Sequence, residues 1–177
     1  GLHICQGDWI AMGAGVDEPD FVREEGVFFL AHILRRLSDE IVEGCTSWYA
    51  DMGLVIPPRT ASTLHLLYRR GPQSVTDIAA ALRQSHPLVI QWVKQLAALG
   101  VVETNKGKDD RRRTIVSLSA LGLQQTERLV AAHETFARAY DQLACDADAD
   151  PFDALWRLEE ALRERPFADR LRVAGSE

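Results

Sequence analysis

The side chains of this 177-residue chain best suited to chemistry are cations grouped for binding, not acids, bases or nucleophiles grouped for catalysis. Residues 57–118 hold ten of them (Arg59, Arg69, Arg70, Arg83, Lys94, Lys106, Lys108, Arg111, Arg112, Arg113) against four acids (Asp77, Glu103, Asp109, Asp110). That stretch carries +6, so the rest must carry −12 to give the net charge of −6. A negative mean therefore does not exclude a polyanionic partner, because charge distribution, not the mean, sets the local field. The densest group, Lys106, Lys108, Arg111, Arg112 and Arg113, suits the phosphate oxygens of a nucleic acid.

The chemistry of enzymes has no such grouping. There is no glycine-rich phosphate loop, no H-E-x-x-H and no G-x-S-x-G, so no catalytic residue, metal or cofactor is expected. His3 and Cys5 are ligand types, but two ligands do not make a metal site. The three cysteines, Cys5, Cys45 and Cys145, are widely spaced and odd in number. They predict no disulfide framework and a reducing, cytoplasmic setting. Composition, 46% hydrophobic and 26% charged, is that of a soluble globular chain, with no apolar run long enough to span a bilayer. The N-terminus lacks the basic start of a secretory signal, and residues 1–17 are taken as an extension, in part a cloning remnant.

The elements that must position the cations are mostly helical. Phe29, Ile33, Leu37, Ile41, Cys45 and Trp48 recur at helical spacing and predict one long helix from Glu18 to about Trp48. A second apolar row, Leu30, Leu34, Ile41 and Val42, widens its stripe enough for two neighbours. Pro58 can open a further helix with Leu64, Leu67 and Tyr68 inward, ending at Gly71-Pro72. Ser74-Val-Thr-Asp77 fits a capping box, with Ile78, Ala79 and Leu82 as the apolar side of a short helix. Ser85 caps the next, whose buried stripe is Val89, Trp92, Val93, Leu96 and Leu99. Two helices across so short a turn make a helix-turn-helix. Val101–Thr104 and Thr114–Leu118 are then the strands of a hairpin with a basic tip. Ser119 caps a last long helix through Leu123, Leu129 or Val130, Phe136, Tyr140 and Leu143. Asp150-Pro151 starts a final one through Leu155, Leu158 and Leu162. So much apolar surface on terminal helices predicts a dimer.

This order resembles the MarR family of winged-helix transcriptional regulators. Ser74–Leu82, Ser85-His-Pro87, Leu96-x-x-x-Gly100-Val-Val and Asp110-Arg-Arg-Arg-Thr-Ile-Val-Ser-Leu-Ser-x-x-Gly122 carry the resemblance, within a span from about Phe28 to Val130. It implies a mainly α fold: a winged helix-turn-helix over 57–118 with a two-stranded β wing, and dimerisation helices over 18–56 and 119–177. It implies a homodimer on a pseudo-palindromic operator in double-stranded DNA, a regulator of the repressor type, released by a small lipophilic or phenolic effector. Base contacts pass by resemblance to the recognition helix, at Ser85, His86, Leu88, Ile90, Gln91, Lys94 and Gln95. Minor-groove contact passes to the wing, at Lys106, Lys108, Arg111, Arg112 and Arg113. The family's Asp-x-Arg falls on Asp110, which would orient the wing, and Arg112, the groove-inserting residue. Arg59, Arg69 and Arg70 are further phosphate-contact candidates.

Two departures from the family matter. Leu88 and Ile90 stand where relatives place small hydroxyl or basic residues, and an aliphatic side chain on an outward face can touch only a thymine methyl. Arg83 occupies a turn position where glycine is usual, which either forces positive φ on a residue with a Cβ or changes the turn. Cys45, Trp48, Tyr49, Met52, His65 and Tyr68 form a candidate effector pocket, with ordinary core as the simpler reading for its aromatic members. Cys45 on its apolar stripe is by default an inert buried thiol, with a redox sensor as the alternative. The alternative function is a protein-interaction module that has lost operator reading, with Leu88 and Ile90 as its docking patch.

Overall fold

The computed structural model describes residues 19–176, and His3 and Cys5 lie outside them. The chain divides into two compact units with the division after Ala132.

In the first unit the predicted N-terminal helix is not continuous. Asp20 caps a single turn, α1 (Phe21–Glu24), by accepting the amides of Val22 at 3.0 Å and Arg23 at 3.3 Å. Gly26 then adopts φ +66°, a conformation that only glycine enters without penalty, and a 3-10 turn over Gly26–Phe29 leads into α2 (Leu30–Asp51). Along α2 Leu30, Ile33, Leu34, Leu37 and Ile41 stay exposed within the single chain.

Pro57 and Pro58 end the loop, and a 3-10 turn, Pro58–Thr60, opens α3 (Ala61–Arg70), which buries Thr63, Leu64, Leu66 and Leu67. Gly71 at φ +72° stops it. Next come β1 (Gln73–Ser74), α4 (Val75–Leu82), α5 (His86–Ala98), β2 (Val102–Lys106), β3 (Thr114–Leu118) and α6 (Ala120–Ala131). The sheet has three strands in the order β1-β3-β2, all antiparallel. β2 and β3 form the expected two-stranded wing, and β1 adds a third strand at its base, where Gln73 faces Val116 and Ser74 faces Ile115. A two-residue strand has no alternation to betray it in the sequence. Leu64, Ile78, Val89, Leu96, Val101 and Val116 are fully buried and make one core under helix and sheet. Leu99, expected in that stripe, is exposed, because the helix ends at Ala98 and the chain turns away at Gly100.

The Ser119-x-x-Gly122 pair closes this head. Ser119 caps α6 by accepting the Gly122 amide at 3.0 Å, while its own hydroxyl donates to the Gly100 carbonyl at 2.6 Å. Gly122 lies so close to the backbone of Val101 that an added Cβ would overlap the Val101 carbonyl oxygen. Backbone cannot yield as a flexible side chain does. Gly122→Ala should therefore destabilise the head by about 1–3 kcal/mol or more, the usual range for overpacking, with the effect read from urea unfolding of the full chain.

The second unit holds α7 (His133–Ala147), α8 (Phe152–Glu164) and α9 (Phe167–Ala174). The single long helix expected from Ser119 is thus divided at Ala132, where nothing in the local sequence marks a break. α8 matches its expectation, and α9 is an additional element. Arg165 is extended before Pro166, as proline requires of its predecessor, which separates α8 from α9. Arg170 reaches back to the end of α8, donating to the carbonyls of Ala161 at 2.7 Å and Arg165 at 3.1 Å. No residue of α7, α8 or α9 is buried.

Cys145 is disulfide-bonded, whereas Cys45 is free. A bonded Cys145 departs from the expectation that the cysteines form no disulfide framework. No described helix is long and apolar enough to cross a membrane.

Candidate nucleic-acid interface

The recognition element is built by its caps. Ser74 Oγ accepts the Asp77 amide at 3.0 Å to start α4, and Ser85 Oγ accepts the Leu88 amide at 3.3 Å to start α5, with Pro87 in the first turn where no amide is missed. Between them Arg83 takes φ 50° and ψ 47°. Of the two outcomes left open for this turn, the residue accepts positive φ, at a cost of roughly 1–2 kcal/mol for a side chain with a Cβ. The amides of Arg83 and Gln84 return to the carbonyls of Ala80 (3.3 Å) and Ala79 (3.0 Å), which closes α4 and turns the chain into α5 within three residues.

α5 buries Val89, Val93 and Leu96, with Trp92 half-buried beside them. Gln91, Lys94 and Gln95 are exposed at spacings of three and four, hence on one face, and His86 is exposed at the helix start. Leu88 and Ile90 are half-buried, so neither stands fully on the outward face where the sequence placed it. The polar groups available for hydrogen-bonded readout are therefore His86, Gln91, Lys94 and Gln95. Ser85 is exposed, but its hydroxyl serves the cap.

In the wing, β2 and β3 pair from Val102 with Leu118 to Lys106 with Thr114, which fixes the tip at residues 107–113. Lys106, Lys108 and Arg111 are exposed. Asp110 Oδ1 accepts both the Arg112 amide, at 3.0 Å, and its Nε, at 3.3 Å, while the Arg112 side chain remains 93% exposed. An aspartate holding one edge of a guanidinium whose other edge faces solvent is an arginine aimed outward. Arg113 points the other way: its Nη2 donates to Ser74 Oγ at 2.8 Å and to Asp77 Oδ2 at 2.9 Å. Three adjacent arginines thus have unequal freedom: the Asp-x-Arg spacing marks Arg112, and nothing in the sequence marks the inward turn of Arg113. Arg69 and Arg70 are exposed at the end of α3, and Arg59 is paired with Asp39 at 2.7 Å.

The candidate effector residues divide between two helices. Cys45, Trp48, Tyr49 and Met52 follow helical spacing along the last turns of α2, and His65 and Tyr68 lie one turn apart on α3. Tyr49 is buried and Met52 exposed; Trp48, His65 and Tyr68 are half-buried, and His65 Nδ1 lies 2.9 Å from the Ala61 carbonyl oxygen. Burial raises the Cys45 thiol pKa, which disfavours the thiolate that peroxide chemistry uses. A hollow of about 430 Å³ lies elsewhere, at the start of α2, lined by Asp20, Val22, Arg23, Gly26, Phe29, Ile33 and Arg36. There the Arg36 guanidinium, 2.8 Å from Asp20, holds that carboxyl below its ordinary pKa. No group of three or more described His, Cys, Asp or Glu residues could hold a metal ion.

A capped helix pair, a second helix with a polar face and a following hairpin with an outward arginine define the winged helix-turn-helix proteins. Within that class, residues 56–113, the reading head of this chain, match the MarR family. The solved structures agree in fold. A probable transcriptional regulator from Pseudomonas aeruginosa is 23% identical, with a TM-score of 0.53 over 76% of this chain and 95% of that one. MepR of S. aureus, solved with DNA, is 19% identical, with a TM-score of 0.56 over 76% and 93%. PcaV of Streptomyces coelicolor, solved with its natural ligand, is 19% identical, with a TM-score of 0.60 over 84% and 99%. No curated protein matches the sequence. The family match covers less than half of the chain, and over most of its length the chain shares the fold of these structures.

Proposed function

We propose that this chain is a transcriptional regulator of the MarR type and not an enzyme: a homodimer that binds a pseudo-palindromic operator, with α5 in the major groove and the wing tip along the flanking minor groove, and represses by occluding a promoter. The observation that carries this is the pairing of a polar α5 face with Arg112, aimed into solvent by Asp110 on the adjoining wing. The functional division follows the same lines: 57–118 reads DNA, and 18–56 with 119–177 make the dimer. Two-fold symmetry then requires the recognition helices to meet successive major grooves about 34 Å apart, or a multiple of that. DNA as the partner puts the protein in the cytoplasm. Lys106, Lys108 and Arg111 act on phosphates, and Gln91, Lys94 and Gln95 on base edges.

A small lipophilic effector is the proposed control, acting near Trp48, His65 and Tyr68. It would lower DNA affinity only by favouring the non-binding spacing of the two heads through its own differential affinity. The transcriptional regulator PcaV is solved with its natural ligand, which supports the existence of such control. The protein-interaction alternative loses ground because Leu88 and Ile90 are half-buried and leave little apolar surface for docking. Titration of the full chain with duplex DNA at increasing salt separates the two. A regulator binds with an affinity that falls linearly in log–log form as counterions are taken up again. A docking module gives no binding at any salt.

A further inference from the structure

We propose that Arg113 is a positioning residue of the wing and not one of its DNA contacts: it fastens the hairpin to the first turn of α4 and thereby sets where Arg112 meets the duplex. This rests on the DNA-binding reading above. The Nη2 nitrogen of Arg113 has two hydrogens, and both are directed at oxygens of the α4 start, Ser74 Oγ and Asp77 Oδ2. Ser74 is already the junction of that region, since its hydroxyl accepts the Asp77 amide and its backbone lies in β1 opposite Ile115 of β3. The main chain of Arg113 closes the tip from the other side. Its carbonyl accepts the Gly107 amide at 2.9 Å, and its amide donates to the Asp110 carbonyl at 3.1 Å. One residue therefore shuts the loop that carries Arg112 and ties that loop to the helix-turn-helix.

The electrostatics favour the same duty. A cation near a helix N-terminus is opposed by the helix dipole, and only Asp77 makes the position favourable for Arg113. The two side chains are about half exposed (48% and 55%), so the pair adds little to global stability and its consequence is geometric. Arg112, 93% exposed, is held among the described residues by the aspartate within its own loop.

Asp77→Asn separates this role from phosphate contact because the two readings give opposite signs. As a phosphate contact, Arg113 would be released by the loss of Asp77 and a negative charge near DNA would vanish, so binding would tighten. As a strut, Arg113 loses its anchor and binding weakens by about tenfold, within the range usual for side chains coupled in one network. The probe is a duplex selected by the wild-type full chain from a random-sequence pool. Arg113→Gln should weaken binding to a similar extent, the double variant should be no worse than either single one, and the salt slope should fall by well under one per head. A second readout needs no DNA: limited trypsin cleavage after Arg111 and Arg112 should be faster in both single variants than in the wild type. Tighter or unchanged binding by Asp77→Asn, or wings no more cleavable than the wild type, would overturn the proposal. Failure of the wild type to select any duplex would sink the DNA-binding reading, while the cleavage rates would still decide whether Arg113 fastens the wing.

Discussion

Arg112→Ala is expected to weaken operator binding by about 100-fold or more and to flatten its salt dependence. A hydrogen bond to a charged group contributes about 1.5–3 kcal/mol, and a dimer presents two wings, so at least ~3 kcal/mol is lost, with each 1.4 kcal/mol worth tenfold. The loss is large because few polar groups on α5 are available to compensate: Leu88 and Ile90 are aliphatic and half-buried. Each arginine withdrawn from phosphates should also lower the log–log salt slope by about 0.9, hence by about 2 per dimer. The remaining preference for A·T-rich flanks should diminish, since a narrow minor groove is where an inserted arginine gains most. Gln91→Ala should behave differently. It should relax the choice of base at one position per half-site by ~1–3 kcal/mol and leave the salt slope nearly unchanged, because it touches a base edge and no phosphate. Competition binding with a panel of single-base operator variants at several salt concentrations measures both effects.

The double substitution Leu34→Glu with Leu37→Glu is expected to convert the protein to a monomer with DNA affinity reduced by 100-fold or more. Both side chains are exposed on α2, at 42% and 54%, within an apolar stripe that the single chain does not cover. Neither belongs to the buried core of the reading head, so the head should stay folded, with unaltered far-ultraviolet circular dichroism. The affinity loss follows because two linked heads bind as one ligand whose second contact is intramolecular, and such linkage typically supplies a factor of 10²–10⁴. Sedimentation velocity combined with binding to a single half-site measures both parts. A variant that remains a dimer would move the interface away from α2.

What the sequence disclosed, and what it did not, follows the range over which its physical causes act. Caps at Ser74, Ser85 and Ser119 are local events, each a side-chain oxygen within three residues of the amide it serves, and all three stand where their spacing placed them. The β2–β3 hairpin is likewise local. The division of the C-terminal helix at Ala132 has no glycine, proline or capping residue to announce it. Gly26 was present to be seen, but the helix was extended back to Glu18 from a repeat that starts only at Phe29. At the interface, the outward aim of Arg112 was legible through Asp110 two residues away. The inward aim of Arg113 was not, because its partners Ser74 and Asp77 are brought to it by strand pairing between β1 and β3, a contact across nearly forty residues.

Protection mapping of a wild-type-selected duplex tests most directly the claim that paired winged-helix heads read DNA. Hydroxyl-radical cleavage in the presence of the full chain should show two equivalent protected half-sites related by a dyad. Their centres should be one helical turn apart, about 10 base pairs, or a multiple of that, with minor-groove protection extending outward under each wing. A single protected patch without two-fold symmetry, or no protection at a salt concentration where the duplex is retained, would contradict the account.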